Sequence, residues 1–247
     1  MGKALLLRDN RNVSITQAGL AFLPYAERVV RLFQESRLTL SEQFEHYIVL
    51  SGPGVVWHYR YLESILAFRR CHPNVAVKFL SYIDASYMIR DLLLDGTVHV
   101  AVRYDPADHP KVSKVLLFEE EIILVSNEKG RRVNKADFRS ADYCHTEWGG
   151  PFPEWFAEMV GPGYIPALQT DHSSIMLTML LQERIFGFMP RSVVQPYLDN
   201  GLLFEADSDI HPPAVSVYAS YLTEKQEQPS VRFGLQLLGI QLSTELN

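Results

Sequence analysis

The chain has 247 residues, 47% hydrophobic and 21% charged, with a formal net charge of −6. That is an ordinary globular balance, with room for one large domain or two small ones. Its apolar runs are too short to cross a bilayer and no signal segment opens it, so no membrane partner is expected and the expected location is cytoplasmic. Two cysteines, Cys71 and Cys144, imply no disulfide framework. Residues 1–45 carry six basic against five acidic side chains, so the remainder holds a net −7. Nucleic acid needs concentrated positive charge, and the bulk of this chain offers the opposite.

Residues 1–15 form a short tail bearing Lys3, Arg8 and Arg11. Thr16 is a good N-cap for the helical pattern that follows. Leu23, Ala26, Val30, Phe33, Arg37, Leu40 and Phe44 then alternate spacings of three and four, a heptad seam over 16–45 that wants a partner helix. The alternative is an amphipathic helix packed on its own domain. Pro24, in the second turn, removes one backbone hydrogen bond.

From residue 46 short strands alternate with helices. Strands are expected at 47–51, 75–80, 98–102, 112–118, 122–126, 143–146, 185–189 and 215–221. Helices are expected at 59–71, 85–94, 152–160 and 173–182, with a terminal helix opened by Pro229 that carries Val231, Leu235, Leu238 and Leu242 on one face. This interleaving implies an α/β fold with a parallel sheet and helices on its faces.

Arg103 and Tyr104 end the 98–102 strand, where parallel sheets place ligand residues. Thr146 and Glu147 end a later strand, and Ser173 opens an apolar helix, so all three are candidate polar lining. Trp57, Tyr104, Trp148, Phe152 and Trp155 either converge on a ligand or pack as core. The eight histidines show no metal-ligand spacing. Cys144 and His145 are strand neighbours pointing to opposite faces, so they cannot act as a nucleophile and base. No phosphate-binding, dinucleotide or nucleophile-elbow motif is present, so neither a cofactor nor an enzyme is expected.

The spacing G-x-x-L-x-x-R-x-x-R-x-V-x-I-T-x-A-G from Gly2 to Gly19 resembles the LysR-type transcriptional regulators, at the end of the recognition helix, the wing and the start of the linker helix. The strings R-x-C-H-P-N-V at 69–75, L-L-x-D-G-x-V-x-V-A-V at 92–102 and I-F-G-F-M-P-R-S-V at 185–193 resemble the effector-binding domain of the same family. The segment 143–155, with Trp148, Gly149 and Phe152, is similar to a branch that carries D-W-G-x-x-F there.

The resemblance implies a long dimerisation helix followed by two Rossmann-like lobes of the type-II periplasmic-binding-protein kind. Residues 1–15 would be a remnant of the winged helix-turn-helix and 16–45 the linker helix. Lobe I would take 46–122 and 219–247, and lobe II 123–218, with crossings near 119–123 and 212–221. Lys3, Arg8 and Arg11 would be wing residues for phosphates or a minor groove. Most of the reading head precedes the sequence, so the expectation is a truncated regulator that meets DNA only if those helices are restored. Leu23, Ala26, Val30, Phe33, Leu40 and Phe44 would join copies into a homodimer or homotetramer.

The implied effector site is Ser51, Gly52, Pro53, Gly54, Arg103, Tyr104, Thr146, Trp148 and Ser173. Where the family often has hydroxyl residues around the proline, this chain has Gly52 and Gly54, which leaves backbone donors. The effector is expected to pair an anionic or acceptor end with an apolar or aromatic body. The main alternative is a free-standing solute-binding protein of the same fold, which predicts a secretion signal and no heptad helix. An enzyme on a related scaffold would need clustered acid, base or metal residues.

Overall fold

A computed structural model describes residues 2–8, 12–39, 43–81, 86–106 and 108–241. The chain forms two compact units, residues 1–47 with 74–76, and residues 48–73 with 77–247.

The first unit opens on an antiparallel hairpin of β1 (Leu6–Arg8) and β2 (Val13–Ile15), with Leu6 opposite Ile15. Lys3 and Arg8 are exposed, and Arg11 lies outside the described residues. α1 (Gln17–Thr39) follows directly and runs through Pro24. Thr16 caps it. The Gly19 N–H donates to Thr16 Oγ1 at 2.9 Å, and the Thr16 hydroxyl donates to the Ala4 carbonyl at 2.8 Å, which satisfies an orphan amide and ties the helix start to the hairpin. Leu23, Val30 and Phe33 are exposed on α1 and Ala26 is half-buried. The helix is shorter than the expected 16–45. Gln43 already sits in a turn, so Phe44, half-buried beyond it, does not extend the seam, and Leu40 lies outside the described residues.

In the second unit, with the first residues of β3 and β4 counted in the other, β3 (His46–Ser51) leads to α2 (Gly54–Tyr59), α3 (Leu62–Cys71), β4 (Val75–Leu80), α4 (Ser86–Leu94), β5 (Val100–Arg103) and β6 (Val112–Glu120). Next come β7 (Ile122–Ser126), β8 (Cys144–His145), α5 (Phe152–Val160), β9 (Leu168–Gln169), α6 (Ser173–Gln182) and β10 (Phe186–Pro190). α7 (Arg191–Asp199), β11 (Phe204–Glu205), β12 (Val215–Leu222) and α8 (Pro229–Leu237) complete it. The helix expected over 59–71 is α3, which starts at Leu62, and the short α2 before it was not expected; buried Tyr61 lies between the two, its ring centroid 6.1 Å from that of Trp57.

Two main sheets hold most of these strands, and β8 and β9 pair in parallel as a small third one. The first has the order β4-β3-β5-β12-β6 and the second β10-β7-β11. The expected parallel sheet is mixed. β3 and β5 are parallel, but β12 enters antiparallel to both β5 and β6, and the second sheet is antiparallel throughout. A strand arriving from the far lobe runs against its neighbours, a reversal that interleaving alone does not disclose.

The chain passes between sheets at Glu121, with Ile122 already opposite Pro190 in the second. It returns before Val215, which pairs with Glu120, so residues 215–218 lie in the first sheet rather than in the lobe expected to end at 218. Ile48, Leu50, Val100 and Val102 form the fully buried centre of the first lobe. The second is built on rings. Phe138 stands 4.8 Å from Tyr143 and 5.5 Å from Phe186, and Phe152 stands 5.5 Å from Phe188, all centroid to centroid. Such contacts add directional packing to the burial itself.

Candidate functional site

The ends of β4, β5 and β8 and the starts of α2 and α6 surround a cleft of about 790 Å³ between the two lobes. Its first-lobe wall is formed by Pro53, Gly54, Val55, His58 and Tyr59, together with Ser81 and the β5 end Arg103, Tyr104 and Asp105. Thr146, Glu147, Trp148 and Gly149 follow β8 on the other side, and Gln169 to Ser174 lead into α6. Strand ends and helix starts converge here because the chain crosses between sheets twice, as in other open α/β sheets with a ligand crevice.

Seven of the nine expected residues line this cleft: Pro53, Gly54, Arg103, Tyr104, Thr146, Trp148 and Ser173. Ser51 and Gly52 do not. Ser51 is buried in β3, opposite Ala101. The Gly52 N–H donates to the Leu80 carbonyl at 3.0 Å, and its own carbonyl accepts from Trp57 Nε1 at 3.2 Å. A Cβ on Gly52 would lie 2.8 Å from the Trp57 ring, so this glycine admits core packing rather than a ligand. Trp57 is itself core, 5.1 Å from Phe79, and Phe152 and Trp155 belong to the second lobe's ring cluster.

Two lining residues are committed inward. The Thr146 hydroxyl lies 2.9 Å from the Thr170 carbonyl and 3.0 Å from Met176 Sδ, so its proton is used within the lobe. Trp148 Nε1 donates to the Phe188 carbonyl at 2.9 Å, leaving its ring as what the cleft meets. The first turn of α6 has spare backbone N–H groups at Ser173 and Ser174. His58, Tyr59, Asp105 and Gln169 to His172 were not expected here. Asp105 follows directly on Arg103 and Tyr104 and was within reach of the strand-end argument. The two-residue β9 that places Gln169 carries no periodic signal.

Burial, helped by the Glu120 charge, pushes the Tyr104 phenol well above its usual range. The Tyr59 phenol is raised to about 12 by burial and by its hydrogen bond with Tyr197. Outside the cleft, burial raises the Cys144 thiol to about 11, so at neutral pH it is a protonated core side chain.

The lobes touch beside the cleft. Gly150 N–H donates to Asp105 Oδ1 at 3.0 Å, and a Cβ on Gly149 would fall 2.4 Å from Tyr104 Cβ. Gly149 also has φ +80°, where L side chains are strained. Gly149→Ala is therefore expected to cost about 2 kcal/mol, from backbone strain plus displacement of Tyr104. Urea unfolding measures it, and an unchanged midpoint would show that this contact is not held.

The crossing is clamped from α7. Arg191 bonds both Glu121 and Glu205, with Nη1 to Glu205 Oε1 at 2.7 Å, and the Ser192 hydroxyl donates to the Glu120 carboxylate at 2.7 Å.

Two α/β lobes, crossed twice by the chain around a strand-end cleft, have the architecture of the type-II periplasmic-binding-protein fold. Residues 41–241 match the LysR substrate binding domain, and the chain belongs to that family. It is 28% identical over 147 residues to a probable RuBisCO transcriptional regulator of Trieres chinensis, covering 54% of this chain and 47% of the relative. It thus spans about half the length of that relative. It is 20% identical over 239 residues to the HTH-type transcriptional regulator HdfR of Yersinia enterocolitica, covering 94% of this chain and 80% of the relative. Among solved structures, full-length CbnR in complex with its target DNA superposes with a TM-score of 0.67 at 20% identity, over 96% of this chain and 84% of that one. CrgA of Neisseria meningitidis, a LysR-type regulator, gives 0.64 at 15% identity, over 96% and 83%.

Proposed function

We propose that this chain is the sensing and assembly part of a LysR-type transcriptional regulator, and that its cleft takes a small-molecule effector. The observation that carries this is the cleft itself, built from both lobes, so that an occupant touching each wall favours one relative placement of the lobes over another. The polar lining at Arg103 and Ser173 suits an acceptor end of the effector, and the rings of Tyr104 and Trp148 suit an apolar body. The exposed α1 seam serves to pair copies of the chain, which couples lobe movement to the spacing of whatever the N-terminal segments hold. Base reading in this class falls to a recognition helix, which is not among the described residues. Lys3 and Arg8 would then add phosphate contacts without sequence preference. Among the described residues, no helix is long and apolar enough to cross a membrane.

Gly54 offers the direct test. It lines the cleft, and a Cβ added there meets nothing within 4 Å. Gly54→Leu is expected to fold, with stability unchanged or raised by about 0.5 kcal/mol through the lost flexibility of glycine, while filling the mouth of the cleft. Compounds from a metabolite panel that raise the melting temperature of the parent chain should lose that effect in the variant. Undiminished stabilisation would place their site elsewhere and remove the proposal.

A further inference from the structure

We infer that the run Trp148, Gly149, Gly150 and the residues Tyr104 and Asp105 after β5 form a latch, which holds the two lobes in one placement while the cleft is empty. The inference goes beyond the effector reading and does not depend on it. The run belongs to the W-G-x-x-F segment, and both rings of that segment are pinned in the second lobe. Trp148 Nε1 donates to the Phe188 carbonyl at 2.9 Å. Phe152 is fully buried in the ring cluster, and its N–H donates to the Gly149 carbonyl at 2.9 Å. Between these anchors the two glycines meet the first lobe.

Gly149 approaches Tyr104 so closely that a Cβ on it would lie 2.4 Å from Tyr104 Cβ, and its φ of +80° suits glycine alone. The Gly150 N–H then donates to Asp105 Oδ1 at 3.0 Å, a charge-assisted bond from one lobe's main chain to the other's carboxylate. On the first-lobe side Arg103 pairs with Tyr218 in the sheet, so Tyr104 and Asp105 leave a fixed strand end. The clamp at the crossing is of another kind. Arg191 holds Glu121 and Glu205, and Ser192 holds Glu120, beside the places where the chain itself joins the lobes, so those contacts can persist while the lobes turn. Asp105 and Gly150 stand 45 residues apart in the chain and meet only through the fold, so their bond exists in one placement and is lost in others. It is a single hydrogen bond at the surface, weak enough to open and re-form. Two placements, latched and open, therefore lie within reach of each other. Tyr104, Asp105, Trp148 and Gly149 also line the cleft. Any occupant touching them shifts the latch by its difference in affinity for the two placements.

The test uses the full chain with no ligand. Spin labels on Cys71, exposed at the end of α3, and on Glu158→Cys, exposed on α5, report the distance between the lobes by double electron–electron resonance. Unlabelled chain is added to dilute distances between copies, and Cys144 is buried away from the label. The parent is expected to give one narrow distance. Asp105→Ala should raise the population at other distances about fivefold, the size expected for losing one exposed hydrogen bond to a charged group. Asp105→Asn, whose amide oxygen still accepts from Gly150, should stay within about twofold of the parent. Circular dichroism should be unchanged in both. A broad distribution in the parent overturns the inference. So does an Asp105→Ala variant that keeps the parent's distance even when Gly149→Ala is added to push Tyr104 away, and so does an Asp105→Asn variant as open as Asp105→Ala. None of these outcomes touches the effector proposal, which the Gly54→Leu comparison decides separately.

Discussion

At pH 5 the folded chain is expected to be about 4 kcal/mol less stable than at pH 7.5, from two histidines alone. His145 is buried, with Nδ1 2.9 Å from the Tyr143 hydroxyl and its ring centroid 4.4 Å from that of Phe156. Burial lowers its pKa to about 4 from the usual 6.5. His99 accepts the Val49 N–H at Nδ1, 2.9 Å away, and burial together with the Lys225 charge lowers it to about 4 as well. Both bases are harder to protonate folded than unfolded, so between pH 6.5 and 4 the unfolded chain binds more protons. Stability from this source is therefore complete above pH 6.5, declines as pH falls through that window and levels off below 4.

The linkage gives about 2 kcal/mol per histidine at pH 5, a large share of the roughly 5–15 kcal/mol that holds a domain together. The Glu121 carboxyl, held below its usual 4.5 by Arg191, begins to lose its contribution only near pH 4.5 and so adds little to the difference between pH 7.5 and pH 5. Guanidinium unfolding at the two pH values reads the difference directly. His99→Gln, whose amide oxygen can still accept from Val49, should remove close to half of it. Equal stability at the two pH values would show that neither imidazole stays neutral in the folded chain.

Much of this architecture was legible in the sequence because burial writes a period. Helices at 152–160 and 173–182 and the strands at 75–80 and 122–126 match their expected bounds. Each has a one-sided or fully apolar pattern bounded by turn residues. Strand direction leaves no such trace. β12 alternates Val215, Val217, Ala219 and Tyr221 whichever way it runs, so its antiparallel entry between β5 and β6 showed only in the pairing.

α7 escaped notice because Pro196 interrupts its pattern, although Arg191 and Ser192 at its start hold the crossing. At the cleft, the strand-end argument reached Arg103 and Tyr104, since that rule concerns where a chain leaves a sheet. Gly52 came instead from the family pattern, and there the N–H is taken by Leu80 and the space by Trp57. The strand-end argument could not reach Asp171 and His172, which a two-residue strand brings into place.

The chain is also expected to be a dimer or larger assembly, and Val30→Asp with Phe33→Asp to release monomers of 28.2 kDa. Phe33 is 64% exposed, Val30 56% and Leu23 43%, all on one stripe of α1. Three large apolar side chains at heptad spacing are costly to leave in water and fit the facing side of a second copy. Burying a Val or Phe side chain is worth about 1.5–3 kcal/mol, and a two-fold interface counts each position twice. Carboxylates at these positions would forfeit that burial and face their symmetry mates, adding like-charge repulsion. The dimer should therefore weaken by at least about a thousandfold, equivalent to roughly 4 kcal/mol. The two positions support little else, since their side chains are exposed in the single chain, so circular dichroism and the cleft should be unaffected. Sedimentation equilibrium at micromolar concentration reads the mass of both proteins. A parent chain that sediments as a monomer would leave the stripe without a partner, and variants that still sediment as dimers would move the interface off α1.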